Sequence, residues 1–197
     1  MTSTGDEQDD TSVGESAGEA DIVFGQPRCL TKGCVLQAHQ IDSLKWMVSL
    51  YQNNLNGILA DDMGMGKTIQ AISILAYLRE SKGIKNQPHL IIAPKSTIPN
   101  WLKEFKLWAP FFTVVNLIPT AERRDDIIDN EMKNGKFDVC ITSYEGVNIC
   151  LDTLKKYKWH YVIFDEAHKL KNSKSIISTN SRCIKSDRRL LLTGTPL

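Results

Sequence analysis

The chain has 197 residues, 42% apolar and 24% charged, a length and composition that suit one globular α/β domain with some unstructured excess. No run reaches the roughly 18 apolar residues that a membrane-crossing helix needs, and the N-terminus lacks the basic-then-apolar layout of a signal peptide, so no membrane partner is expected. Five cysteines (Cys29, Cys34, Cys140, Cys150 and Cys183) make an odd count without the clustered spacing of a zinc site, and they read as reduced thiols.

The net charge of +1 conceals an asymmetry, because residues 1 to 21 carry seven acidic side chains and no Lys or Arg. With almost no large apolar residue to bury, that stretch cannot offset the entropy of ordering and is predicted to be a disordered acidic tail. The remainder, residues 22 to 197, holds 24 basic and 16 acidic residues, a modest surplus that favours an anionic polymer without identifying one.

Next comes an amphipathic pattern, Leu36, Ile41, Leu44, Trp46, Met47, Val48 and Leu50, which predicts a helix packed on the edge of a sheet. Short apolar runs then alternate with helical patterns. Strands are predicted at Asn56 to Ala60, Leu90 to Ala93, Val114 to Ile118, Val139 to Thr142, Tyr161 to Phe164 and Leu190 to Leu192. Helices are predicted at Thr68 to Arg79, Ile98 to Trp108, Ala121 to Met132, Tyr144 to Tyr157 and Ile176 to Ile184. Repeated strand-helix-strand units imply a mostly parallel sheet with helices on both faces. The aromatics Trp101, Phe105 and Trp108 fall on one helix face and are assigned to the core.

Two segments carry chemistry. Gly57 to Gln70 reads as a strand, a glycine-bearing loop and a helix start, with Asp62, Met63, Gly64, Met65 and Gly66 forming the loop. Gly64 and Gly66 permit a tight turn that aims backbone N–H groups at phosphate, and the helix adds its positive end. Lys67 is placed to reach the β- and γ-phosphates, and the Thr68 hydroxyl to ligate Mg²⁺. The loop departs from the usual phosphate-loop pattern at Asp61, where glycine is expected.

The second segment is Tyr161-Val-Ile-Phe-Asp-Glu-Ala-His, an apolar strand that delivers two carboxylates at its C-terminal end, where α/β sheets bind ligands. Asp165 is suited to holding Mg²⁺, and Glu166 to orienting or deprotonating the water that attacks the γ-phosphate. A last strand ends in Thr193-Gly194-Thr195, whose hydroxyls suit a phosphate-state sensor, with His168 as a polar coupler between nucleotide and that loop.

In order, Asp61-Asp-Met-Gly-Met-Gly-Lys-Thr-Ile-Gln, Ile92-Ala-Pro-Lys-Ser-Thr, Asn100-Trp-Leu-Lys-Glu-Phe, Ile141-Thr-Ser-Tyr-Glu, Asp165-Glu-Ala-His-Lys-Leu-Lys-Asn and Leu192-Thr-Gly-Thr-Pro-Leu resemble superfamily-two helicases. The closest resemblance is to the Snf-type branch, and within it to imitation-switch nucleosome-sliding ATPases. It implies a RecA-like lobe that uses ATP and Mg²⁺, works on double-stranded DNA and nucleosomes in the nucleus, and joins further remodeller subunits. It also implies that Gln40 contacts adenine, and that Pro94, Lys95, Ser96, Thr142, Ser143 and Tyr144 face the DNA backbone. Departures include Asp62 for the family's Glu, Met65 for Leu and His39 for Tyr.

Such motors have two similar lobes, the second supplying arginines worth on the order of 10³ to 10⁵ in rate. The chain is therefore expected to be a first lobe that hydrolyses ATP barely without the second. Two other readings share the loop and the acid pair. One is an RNA helicase lobe, which would usually show Ser-Ala-Thr in place of Thr193-Gly-Thr. The other is a non-catalytic truncated module that binds nucleotide or DNA.

Overall fold

The computed structural model describes residues 25–84, 87–117 and 120–194. The acidic tail expected over residues 1 to 21, together with Ile118 and Thr195, lies outside the described residues. The elements in chain order are α1 (Ala38–Gln52), β1 (Gly57–Leu59), α2 (Lys67–Ser81), β2 (His89–Ala93), α3 (Ile98–Trp108), β3 (Val114–Leu117), α4 (Ala121–Ile127), β4 (Val139–Ser143), α5 (Tyr144–Leu154), β5 (Trp159–Phe164), α6 (Ile176–Arg182) and β6 (Ser186–Leu192).

The strands form one six-stranded sheet in the order β1-β6-β5-β2-β4-β3, with every pairing parallel. Each of the six predicted strand segments overlaps an observed strand. The three innermost by hydropathy, β2, β4 and β5, are buried at every residue, as expected of strands covered on both faces. The edge strands β1 and β3 alternate instead.

Successive strand residues point to opposite faces and enter two separate cores. Ile91, Ala93, Ile141 and Ile163 join residues of α1, α2 and α3 on one face. Leu90, Ile92, Cys140, Val162 and Phe164 join Tyr144, Val147 and Leu154 of α5 on the other. Helices therefore cover both faces, as the alternating pattern predicted. The expected edge packing of α1 is close at Gly57 of β1: a Cβ there would lie 2.6 Å from Leu50 Cδ1 and 3.3 Å from the Trp46 ring, so the Leu50 side chain would have to shift.

Two elements differ from expectation. The helix predicted over Ala121 to Met132 is α-helical only to Ile127 and widens into a π-helical turn over Ile128–Met132, which buries Met132. Helix α5 stops at Leu154, and its N-terminus is capped by the Ser143 hydroxyl, which accepts from Gly146 N at 2.9 Å. All five cysteines are free thiols.

At the N-terminal end of the sheet, His89 is 2% exposed and its Nδ1 has no hydrogen-bond partner. Burial, reinforced by His160 and Arg79 nearby, holds its pKa down at about 3 instead of 6.5. The unfolded chain therefore binds a proton that the native state refuses as pH falls through 6.5, so this group's contribution to stability is full above that pH and is lost toward 3. The loss is about 1.4 kcal/mol per pH unit once His89 is charged in the unfolded state. His89→Leu is expected to flatten the stability slope between neutral pH and pH 4 by about one proton's worth. Urea denaturation midpoints across that range check this, and an unchanged slope would refute it.

Candidate nucleotide site

Parallel pairing brings the C-terminal ends of the strands to one edge of the sheet, and every segment singled out for chemistry follows one of those ends. Register pairs Leu59 with Leu192, Phe164 with Leu191, Ile92 with Phe164, and Ala93 with Ser143. The phosphate loop, the acid pair, the Pro94 segment and the Thr193 segment are thus neighbours despite separations of up to about 130 residues in sequence.

A cleft of about 380 Å³ lies at this edge. Its walls are Met63, Gly64, Gly66, Lys67 and Thr68 from the loop and the start of α2, Asp165 and Glu166 from the end of β5, and Ser96 between β2 and α3. Gly64 and Gly66 have φ values of +87° and +79°, left-handed backbone that side chains resist, and Gly66 is the N-cap residue of α2. With no acidic residue in its first turn, α2 directs an uncompensated positive end toward the cleft.

Lys67 Nζ donates to the carbonyl oxygens of Asp61 and Asp62 at 2.8 and 2.9 Å, so the ammonium spans the loop from within. A Cβ on Gly194 would lie 3.7 Å from that nitrogen, which sets the Thr193-Gly194 turn directly against the loop. Thr193 is buried and donates its backbone N–H to Leu59 O at 3.1 Å. Asp165 is 9% exposed, whereas the Glu166 side chain is 31% exposed, so the two acids meet different surroundings. Glu166 adopts a left-handed backbone (φ 51°, ψ 52°), and its Oε2 lies 3.2 Å from His168 Nδ1. His168 therefore touches the second acid.

These groups suit a triphosphate tail accompanied by Mg²⁺: an ammonium and a helix start for anionic oxygens, with one hydroxyl and one carboxylate for a metal that keeps phosphate and water as its other ligands. Among the described residues, no group of three or more His, Cys, Asp or Glu side chains could hold a metal without such help.

Several expected site residues are placed differently. Gln40 is 6% exposed; its Oε1 accepts from Gln37 N at 3.0 Å and its Nε2 donates to Met65 O at 3.3 Å. The amide, expected to contact adenine, braces the loop. Asp62 and Met65 are exposed. Of the segments expected to face DNA, Lys95 and Ser96 are exposed and Pro94 is buried.

Thr142, Ser143 and Tyr144 are turned inward, at 0%, 1% and 0% exposure. Their hydroxyls serve Leu117 O, the α5 cap and Asp165 O respectively. Packing of α5 on the sheet encloses these three side chains, so a backbone contact to DNA at this segment would fall to its N–H groups. Burial, with the Asp165 and Glu166 carboxylates adding to it, pushes the Tyr144 phenol upward, so it remains a donor to Asp165 O at ordinary pH.

Sequence reasoning missed other members of the site. Thr97, Asn100 and Glu104 line the cleft from α3 and its cap, and Glu104 brings a buried Oε2 without a partner. His39 Nε2 and Gln70 Nε2 both lie within hydrogen-bond reach of Met65 O, at 3.1 and 3.4 Å, beside Gln40. Gln70, set within the mostly apolar run from Ile69 to Leu78 of α2, was the available signal.

Fold and cleft together define a RecA-like nucleotide-binding lobe. The SNF2-related domain family matches residues 39–197, and the chain belongs to that family. It is similar to a probable chromatin-remodeling complex ATPase chain of Oryza sativa subsp. japonica, with 46% identity over 175 residues, 89% of this chain and 16% of the relative. The human SWI/SNF-related matrix-associated actin-dependent regulator of chromatin subfamily A member 1 is 44% identical over 98% of this chain and 19% of its own length. The ISWI chromatin-remodeling complex ATPase ISW2 of Saccharomyces cerevisiae is 45% identical over 91% and 16%. Among solved structures, the Sulfolobus solfataricus SWI2/SNF2 ATPase core in complex with dsDNA matches with a TM-score of 0.77 and 30% identity, over 88% of this chain and 34% of that one. The chain thus spans 16% to 19% of the length of these curated relatives.

Proposed function

We propose that this chain is the ATP-binding lobe of a DNA-dependent ATPase that moves along double-stranded DNA and remodels nucleosomes in the nucleus. The observation that carries this reading is the meeting of Lys67, Thr68, Asp165 and Glu166 in one cleft. The names of its relatives, chromatin-remodelling ATPases and an ATPase core solved with duplex DNA, supply the substrate class.

Lys67 leaves the Asp61 and Asp62 carbonyls to neutralise β- and γ-phosphate oxygens, while the N-terminus of α2 and the left-handed loop backbone receive the remaining anionic oxygens. Thr68 and Asp165 would hold Mg²⁺, which would supply positive charge to offset that of the phosphates. Glu166, the more solvated acid, orients the attacking water and accepts its proton, with His168 steadying Oε2. The Thr193-Gly194 turn, against both loop and β1, is placed to report whether the γ-phosphate is present. Lys95 and Ser96, exposed at the end of β2, make sequence-independent contacts to DNA phosphates. A second RecA-like lobe and remodeller subunits complete the machine.

The test is polymer dependence in a protein carrying this lobe with its second one. Duplex DNA is expected to stimulate phosphate release and Lys95→Ala to weaken that stimulation, with the deficit narrowing as salt rises because the variant releases fewer counterions. Stimulation by RNA with none by duplex DNA would overturn the assignment in favour of an RNA helicase.

A further inference from the structure

Asp165 is held more firmly than any other group in the cleft. Its backbone N–H donates to Ile92 O at 2.8 Å, its carbonyl accepts from Tyr144 OH at 2.7 Å, and its Oδ2 accepts from Trp101 Nε1 at 2.9 Å and from the Thr97 hydroxyl at 3.2 Å. Among the described residues no side-chain donor is recorded on Oδ1. The carboxylate is thus fastened by one oxygen and leaves the other for the cleft.

Trp101 is fully buried and stacks near Phe105 at 6.2 Å between ring centroids, which accounts for its ring but not for where its N–H is aimed. A buried indole needs one acceptor, and a backbone carbonyl suffices: Trp159 Nε1 donates to Leu154 O at 2.9 Å. Trp101 spends its only donor on an acid of the phosphate cleft instead. An indole N–H cannot ionise, cannot accept and barely moves within a packed helix face, so it fixes a carboxylate rotamer without competing for metal. The Thr97 hydroxyl is a weaker restraint, because its single hydrogen is within reach of both Pro94 O (3.0 Å) and Asp165 Oδ2.

We propose that Trp101 is a positioning residue whose indole N–H, assisted by Thr97, holds Asp165 Oδ2 and so presents Oδ1 to the Mg²⁺ that accompanies the nucleotide. This rests on the ATP reading above and extends it to a residue of α3 that touches neither nucleotide nor metal. The geometry makes a specific demand: loss of the N–H must weaken dependence on Mg²⁺ and not affinity for nucleotide in general.

The experiment titrates Mg²⁺ against a fluorescent, non-hydrolysable ATP analogue bound to the chain. Trp101→Phe keeps an aromatic ring and removes the donor. It is expected to raise the half-saturating Mg²⁺ concentration by about tenfold, the scale of one hydrogen bond to a charged group, while affinity measured in chelator changes by less than about twofold. Thr97→Val is expected to raise it by roughly threefold, in keeping with a shared hydrogen bond. Phe105→Leu, which thins the same helix face, is expected to lower the melting temperature without moving the Mg²⁺ midpoint.

A second readout is the ¹⁵N-resolved indole resonance that disappears in Trp101→Phe, which is expected to shift in Asp165→Asn. Unchanged Mg²⁺ dependence in Trp101→Phe overturns the proposal. If that variant does not fold, an indole resonance indifferent to Asp165→Asn overturns it equally. A wild-type chain that binds no analogue at any Mg²⁺ concentration would instead overturn the ATP reading, and the resonance would still report on the hydrogen bond.

Discussion

Glu166→Gln is expected to lower ATP hydrolysis by roughly 10² to 10⁴-fold, the range associated with loss of a positioned general base, in a protein that carries both lobes. Glutamine preserves the side chain's length and can still meet His168 Nδ1, 3.2 Å from the glutamate oxygen, so the local geometry survives. What disappears is the ability to accept a proton from water. Because Glu166 is not needed to ground the phosphates, nucleotide affinity should stay within about twofold, and the variant should accumulate as a nucleotide-bound complex. Phosphate release and analogue binding, measured side by side, separate the two effects. Equal losses in both would assign Glu166 to binding and remove it from the chemical step.

Lys67→Ala is expected to act earlier, on binding itself. The ammonium has two acceptors, Asp61 O and Asp62 O, at 2.8 and 2.9 Å. Exchanging two neutral carbonyls for anionic phosphate oxygens is the favourable step, and hydrogen bonds to charged groups contribute about 1.5 to 3 kcal/mol each. Loss of two such contacts lowers affinity for Mg²⁺ and ATP by roughly 10² to 10⁴-fold, a change that calorimetry resolves directly. Hydrolysis by the two-lobed protein should vanish with it. Turnover that persisted in Lys67→Ala would mean the cleft is not the site of ATP hydrolysis. The two variants thus divide the cleft into a part that grips and a part that reacts.

The central strands were legible because a strand covered on both faces is dominated by apolar residues, and β2, β4 and β5, buried at every position, each hold such a run. Their beginnings were less so. β5 starts at Trp159 and β6 at Ser186, ahead of their apolar runs, because polar residues there are recruited by neighbours: Trp159 pairs with Ser186, and Arg189 N donates to Asn56 Oδ1 at 2.8 Å. Hydropathy carries no record of a partner strand.

The same distinction separates the parts of the cleft. Glycine spacing, a lysine at a helix start and paired acids after an apolar strand are local patterns, and their shared cleft followed from parallel topology. Whether Thr142, Ser143 and Tyr144 look outward depended on how α5 closes over β4, a tertiary choice that their polarity did not reveal. Trp101 shows the converse. Its helical spacing rightly placed it in the core, yet a periodicity argument sees only the ring and is blind to the single nitrogen that reaches Asp165.

The kinked backbone at Glu166 places the final acid at a bend that ordinary side chains resist, a conformation that costs on the order of 1 kcal/mol for a residue with a Cβ. A hydrogen in place of its side chain would make the chain more comfortable there and leave it with nothing to offer an incoming water. At this one position the requirements of folding and of turnover pull in opposite directions, and the molecule is built a little less stable than its own backbone would allow.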